Sequence, residues 1–332
     1  MSRALDQDVA ASLDEGNRLG AYEAISALLL SRPSGGLLEI EILSKSFPMP
    51  GGLYVLQDGR AAGVSKVGLV QAFLVARQKL AAHLHKTAAL DDGDLFSTTA
   101  VILLMDPEYL TAANTRKRLL QKLTSRRDST CAAVLENEKH FVDSLLTSRL
   151  HRHTKSPTLW SHRRWLVRLY RSLDVPVDVA SDVVNVVSVA GERHPRNYYA
   201  WCHARFLSDL DPEDQGGKLL AAVKDWCRKH HTDISGWSFL YYLLSAARGS
   251  PGSAASSAAF SEVLERVRSL RLTNESVWVF LRTLAASGLV GEKECAEFVT
   301  VGHGLLGAAG TPTDQRVLRS AMDWWDTYRL GR

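Results

Sequence analysis

The residues best suited to chemistry recur as an aromatic–basic pattern. Trp160-Ser161-His162-Arg163-Arg164, Trp201-Cys202-His203-Ala204-Arg205 and Trp278-Val279-Phe280-Leu281-Arg282 each place an Arg three or four residues beyond a Trp. Trp237 repeats the Trp without the Arg. On a helix such pairs share one face, where the ring packs on a neighbour and the Arg stem covers it. Tyr198, Trp201 and Arg205, spaced i, i+3, i+7, are expected on one such face. Packing is the first reading of these residues. His162 and His203 fall two residues after their Trp, off its face, as hydrogen-bonded surface or interface residues. His151-Arg152-His153 and His230-His231 are the densest histidine groups, but adjacent side chains on a helix diverge, so neither builds a metal site alone. Cys131, Cys202, Cys227 and Cys295 are far apart and form no C-x-x-C pair, which argues against a disulfide framework or a cysteine-rich zinc site. There is no phosphate-binding glycine loop, no G-x-S-x-G and no H-E-x-x-H. No metal is expected on this chain.

The spacing of the pattern speaks to the scaffold. Trp160 to Trp201 is 41 residues, Trp201 to Trp237 is 36 and Trp237 to Trp278 is 41. A period in this range, with two helical patterns per unit, marks stacked helical hairpins, so the fold class is all-α and the architecture an α-solenoid. Ser156-Pro157 and His194-Pro195 read as helix starts, since proline suits the first turn. Ser156, Thr273 or Asn274, and Thr232 or Asp233 are candidate caps. An earlier copy opens at Asp106-Pro107-Glu108-Tyr109, with Arg116 at the Arg position and Ala113 in place of Trp. Helices are expected over 157–173, 176–192, 195–210, 212–230, 234–247, 258–270, 276–287 and 292–306. A closing helix over 313–330 has Trp324, Trp325 and Tyr328 to bury, and the Ser/Gly/Ala-rich 249–259 reads as a flexible surface loop.

The 332 residues divide in this reading into a divergent N-terminal region, 1–105, and a hairpin-repeat domain, 106–332. The N-terminal region is expected to hold one or two helices over 4–31, two short strands near 37–43 and 53–56 with an Asp58-Gly59 turn, a helix over 65–90 with Val67, Val70, Leu74, Leu80 and Leu84 as its apolar stripe, and a short helix over 97–105. Net charge is only +4, but between Arg116 and Arg171 fourteen Lys or Arg residues face four Asp or Glu. That stretch suits acidic protein, phosphate groups or a membrane surface, or is simply a set of solvated helix faces. Direct nucleic-acid binding is disfavoured by the modest charge and the lack of a recognised module. No apolar run is long enough to span a bilayer and residues 1–20 lack a secretory core, so a cytoplasmic protein is expected.

The repeats resemble those of protein prenyltransferase alpha subunits, whose repeat runs roughly N-x-x-x-W-x-x-R and often Trp-x-His-Arg-Arg-Trp. Trp160-Ser161-His162-Arg163-Arg164-Trp165 carries the second form, and Arg196-Asn197-Tyr198-Tyr199-Ala200-Trp201-Cys202-His203 matches the family's central repeat. Within that family, Ser235-Gly236-Trp237, the divergent N-terminal region and the final aromatic helix favour the repeat-containing members over farnesyltransferase alpha subunits. The resemblance implies a heterodimer with a beta subunit that holds the zinc and most of the isoprenoid pocket, and transfer of a geranylgeranyl or farnesyl group from its diphosphate to a cysteine near the C-terminus of an acceptor protein. It places Arg196, a Lys in the farnesyl enzyme, over the diphosphate, and turns Tyr198 to the active site. Trp160, His162, Arg163, Arg164, Asn197, Trp201, His203, Arg205, Trp237, Trp278 and Arg282 are then signature residues of structure or interface. Ala204 departs from the usual Arg. The competing reading is a non-enzymatic α-solenoid adaptor that binds protein partners.

Overall fold

The computed structural model describes residues 17–125, 130–210, 217–246 and 254–329. The chain divides into two compact units: the chain to Val177 with Glu192–His194, and Asp178–Gly191 with the chain from Pro195 onward. Both are built from helices, as the Trp period implies, and the first carries one small sheet.

In the first unit α1 (Arg18–Leu30), α2 (Lys66–Leu84) and α3 (Asp92–Met105) pack together. The side chains of Asn17, Ser65 and Asp91 accept from the N–H groups of Gly20, Gly68 and Asp94, satisfying first-turn donors that a helix leaves unbonded. The Asp91 cap starts α3 five residues before the expected position 97. α2 stops at Leu84, short of residue 90, and Lys86 at φ 60° turns the chain away. Of the expected stripe on α2 only Leu80 is buried, and Leu84 is exposed. The buried edge is Leu69, Ala72, Ala76 and Leu80, whose two alanines let the neighbouring helices approach closely.

The sheet has three strands, where two were expected. β1 (Glu39–Leu43) pairs in parallel with β3 (Ala61–Ser65), and β3 pairs antiparallel with β2 (Val55–Asp58) across the Asp58-Gly59 turn. Ala-Ala-Gly-Val-Ser has weak strand propensity, so β3 is held by pairing on both sides and by burial of Ala62 and Val64. Just before and within β1, the N–H groups of Leu38 and Ile40 donate to the hydroxyls of Ser144 and Ser148 at 3.0 Å each. The following helices are α4 (Leu110–Thr124), α5 (Cys131–Thr147) and, after one turn at His151–Thr154, α6 (Pro157–Ser172). The Ser156 hydroxyl caps α6 through the Leu159 N–H, as its Ser-Pro start implies.

The helical run α7 is Val179–Asp182, a π-helical Val183–Ser188 and Val189–Arg193, where a regular helix was expected. The second unit continues with α8 (Tyr198–Ser208), α9 (Lys218–Lys229), α10 (Ile234–Ala246), α11 (Ala254–Leu270), α12 (Glu275–Ala286), α13 (Glu292–Ala308) and α14 (Pro312–Arg329). Alternate helices α8, α10, α12 and α14 lie side by side, and α11 packs on α13, which is the layering of stacked hairpins. Residues 254–259, expected in a loop, are the first turns of α11; the rest of that loop lies outside the described residues, as do residues 4–16 of the first expected helices. α14 buries Leu318, Ala321, Met322 and Trp325 only. Trp324 is half-buried and Tyr328 is 56% exposed, because among the described elements α14 packs mainly on α12 and α13, which cover one side of it. The two rings stack on each other 4.4 Å apart instead.

Candidate functional site

The expected start of α8 at His194-Pro195 is not where the helix begins. Pro195 and Arg196 form a turn, Arg196 sits at φ 60°, and Asn197 caps the helix through the Ala200 N–H at 3.2 Å. Arg196 is non-glycine in the left-handed region, a conformation that costs about 1 kcal/mol or more unless its surroundings hold it. Asp233, 3% exposed, does so: Oδ2 accepts from the Arg196 N–H at 2.6 Å, and Oδ1 accepts from Ser235 and Gly236 at 3.0 Å each. One carboxylate thus caps α10 and fixes the Arg196 turn. The turn leaves the Arg196 side chain exposed.

Tyr198 was expected to share the packed face of Trp201. It is 66% exposed, with Tyr199 beside it at 41%, while Trp201 is fully buried. A first-turn residue precedes the stretch where the neighbouring helices close over α8, so spacing alone does not bury it. The Tyr198 hydroxyl bonds the Cys202 thiol one turn on, which raises its pKa above the usual phenol value. Arg196, Tyr198 and Tyr199 therefore form a cation with two outward rings, a composition typical of binding hot spots.

The signature tryptophans are structural. Trp160, Trp237 and Trp278 each donate an indole N–H to a carbonyl in the preceding turn: Thr154 at 2.8 Å, His230 at 3.3 Å and Leu272 at 2.9 Å. Trp201 packs against Trp226, Phe239 and the Cα atoms of Gly191 and Gly236. A Cβ on Gly236 would lie 2.4 Å from the Trp226 ring, so glycine is required there for steric reasons. This is the physical content of the Ser235-Gly236-Trp237 departure. Arg205 and Arg282, four residues beyond their Trp, do not cover that Trp. Arg205 reaches Ser238 on the next parallel helix at 2.9 Å and lies over Tyr242 at 5.7 Å. Arg282 repeats the move with Ser320 and Trp324, at 3.4 and 5.1 Å. In both, the aromatic stands four residues beyond the Ser, so the signature Arg clamps one hairpin to the next.

The Arg three residues beyond the Trp position turns inward. Arg116 and Arg163 are 1% and 0% exposed. Arg116 grips Glu138 of α5 with Nη2···Oε2 at 2.6 Å and Nε···Oε1 at 2.9 Å, and stacks over Phe141. Arg163 grips Asp143 at 2.6 Å, and Lys139 reaches the other oxygen at 2.9 Å. His162, expected at a surface or interface, is 1% exposed and donates from Nε2 to Glu138 at 2.7 Å. His203 is fully buried, edged by Phe206. Both histidines lie on the core side because their helices are covered on more than the Trp face. Burial raises the pKa of the Glu138 carboxyl, but Arg116 and His162 overcome this and hold it down at about 2. Arg163 and Lys139 likewise hold Asp143 below its usual value against burial. Sequence reading missed Glu138 and Asp143. Asp233 was read as a possible cap, without its hold on Arg196. Ala204, in the inward-Arg position of α8, is fully buried, and no inward carboxylate is needed there. Arg164 and Asn197 are half-buried and buried. Among the described residues no three His, Cys, Asp or Glu side chains gather to hold a metal, and no helix is long and apolar enough to cross a membrane.

The hairpins thus carry a recurring Trp with outward and inward Arg positions, and the comparisons with known proteins find the prenyltransferase alpha-subunit repeat in part of the chain. The family profile of the protein prenyltransferase alpha subunit repeat matches residues 135–170, and that of the ECM9 middle domain matches residues 159–255. The chain is 28% identical to Protein ECM9 of Saccharomyces cerevisiae over 194 residues, covering 56% of this chain and 50% of that protein. It is 28% identical over 189 residues to protein prenyltransferase alpha subunit repeat-containing protein 1 of Danio rerio, 51% of this chain and 42% of that protein. Against the geranylgeranyl transferase type-2 subunit alpha of Homo sapiens it is 24% identical over 204 residues, 58% of this chain and 34% of that protein. The matches thus span half or less of these relatives' length.

Proposed function

We propose that this chain is the alpha, non-zinc subunit of a cytoplasmic heterodimeric protein prenyltransferase. Its hairpins hold a beta subunit, and its Arg196 turn serves the isoprenoid diphosphate. The supporting observation is the turn itself: a strained backbone, clamped by a buried carboxylate, that presents one guanidinium and two exposed tyrosines. Strain maintained by a dedicated clamp fits a functional position. A fixed guanidinium suits a diphosphate leaving group, since it offers two donors to neighbouring oxygens without reorganising as charge develops. The zinc expected on the beta subunit supplies the acceptor cysteine as a thiolate. This chain's part is to orient and neutralise. Similarity to geranylgeranyl transferase alpha subunits supports geranylgeranyl over farnesyl as the group transferred to a C-terminal cysteine.

The test is transfer of labelled geranylgeranyl from its diphosphate by the chain co-expressed with a prenyltransferase beta subunit. Arg196→Ala is expected to slow transfer at least about tenfold with the heterodimer intact, as loss of one charge-stabilising donor does. An unchanged rate would remove Arg196 from the mechanism. A second reading, a protein-binding adaptor without catalysis, is favoured by the matches to the ECM9 middle domain and to Protein ECM9, whose names carry no transferase. In it Arg196, Tyr198 and Tyr199 are docking anchors alone, and no beta subunit supports transfer.

A further inference from the structure

The register of the Arg clamps carries the repeat pattern into α14. Arg205 meets Ser238 and Tyr242 of α10, and Arg282 meets Ser320 and Trp324 of α14. Arg319 stands 41 residues after Trp278, as Trp278 stands after Trp237, so α14 has Arg319 at the Trp position and Asp323 where α12 has Arg282. Trp278 is buried, whereas Arg319 and Asp323 are exposed. Together with Arg316, Trp324, Thr327 and Tyr328 they line one groove of about 650 Å³. By helical phase this groove lies opposite the buried stripe of Leu318, Ala321, Met322 and Trp325. Arg282 uses Ser320 and one side of Trp324. The side chains of Arg316, Arg319 and Asp323 have no partner among the described residues. Arg four residues before Asp is the weaker order for an ion pair along a helix, so the two charges stay available.

We propose that this face of α14 pairs with the same face of a second copy of the chain. Its charge pattern is self-complementary. Two antiparallel α14 helices, related by a two-fold axis level with residues 321–322, set Arg319 of each copy against Asp323 of the other. The same axis sets Arg316 of each copy against the Tyr328 ring of the other, within reach of a cation–π contact. A two-fold contact makes every such pair twice. Trp324 and Tyr328, stacked 4.4 Å apart with Tyr328 56% exposed, supply the apolar part. A partner of a single charge sign would oppose either the two arginines or Asp323 with like charge, whereas a second copy satisfies both. The 18 residues of α14 make a face about 27 Å long and roughly 10 Å wide. That is well short of the roughly 800 Å² per partner of a standard interface, so the pair forms only at high chain concentration. The contact lies within the second unit and does not rest on the transferase reading.

Sedimentation equilibrium of the whole chain, from about 1 to about 200 μM, tests the proposal. The weight-average mass is expected to rise from one chain toward two. Arg319→Asp and Asp323→Arg each put like charges opposite one another across the two-fold, and each is expected to weaken self-association at least about tenfold. In an equimolar mixture of the two single variants opposite charges face each other again. Association between them is expected to return to within about threefold of the unmodified chain. Both side chains are exposed and unpaired, so the thermal midpoints should hold; if either falls, Arg319→Gln is used, with a smaller loss of the same sign expected. A single-chain mass across the whole range would overturn the proposal. So would single variants that associate as well as the unmodified chain, or a mixture of well-folded variants that associates no better than either alone.

Discussion

Glu138→Gln tests the internal logic of the repeat most sharply. Glu138 is fully buried between Arg116 and His162. Glutamine keeps the shape and removes the charge, so Arg116 is left buried with no counter-charge. The carboxyl has a pKa of about 2 in the fold, against an ordinary value of 4.5. A depressed acid stabilises the fold fully above its unfolded pKa and loses that contribution as pH falls through the folded value. The shift corresponds to roughly 3 kcal/mol at pH 7, in line with the roughly 3–5 kcal/mol typical of breaking a buried pair from one side. At pH 3, between the two pKa values, about half remains. Urea denaturation followed by circular dichroism, with hydrogen exchange of α4–α6 amides reporting the first unit alone, measures both. The variant should be about 3 kcal/mol less stable at pH 7, and the gap should narrow to roughly half at pH 3. A gap below about 1 kcal/mol at pH 7, or one that does not close on acidification, would refute the reasoning.

Other perturbations separate structural from functional roles. Gly236→Ala drives a methyl into Trp226 and should cost roughly 1–3 kcal/mol, whereas Gly302→Ala meets only the flexible end of Met322 and should cost less, both read by thermal denaturation. Trp278→Phe removes the donor to the Leu272 carbonyl and should lower stability by about 1 kcal/mol beyond the packing lost. Arg282→Ala should loosen the α12–α14 contact, seen as faster hydrogen exchange in α14 with α8 unchanged. Asp233→Asn keeps the α10 cap but weakens the hold on Arg196; under the transferase reading it should slow transfer in the same direction as Arg196→Ala, with the helix content retained.

The Trp period gave the helical hairpins because a 40-residue recurrence of a buried ring has few other physical causes. Ser156 and Asp233 were legible as caps because capping is local. Legibility failed where the third dimension decided. Ala61–Ser65 has no strand signal and is held by two neighbours. Tyr198 has the spacing of the Trp201 face yet points outward, since helical phase does not report where coverage begins. Glu138 and Asp143 look like any helix-surface acids; only the inward Arg116 and Arg163 of α4 and α6 reveal that α5 needs them. Within one helix the nearest ring to the signature Arg is its own Trp, yet the guanidinium reaches an aromatic of the next hairpin. The His-Pro start places Arg196 inside a helix, although Asn197, one residue on, is the stronger cap.

The proposed alpha-subunit role requires a stable complex with a prenyltransferase beta subunit. The most direct measurement is the mass, by light scattering on a sizing column, of the chain co-expressed with each protein prenyltransferase beta subunit in turn. A 1:1 complex with one of them is expected, one that survives Arg196→Ala and is weakened by Tyr198→Ala/Tyr199→Ala. Elution of the chain free of every beta subunit, under conditions where it is folded, would contradict it.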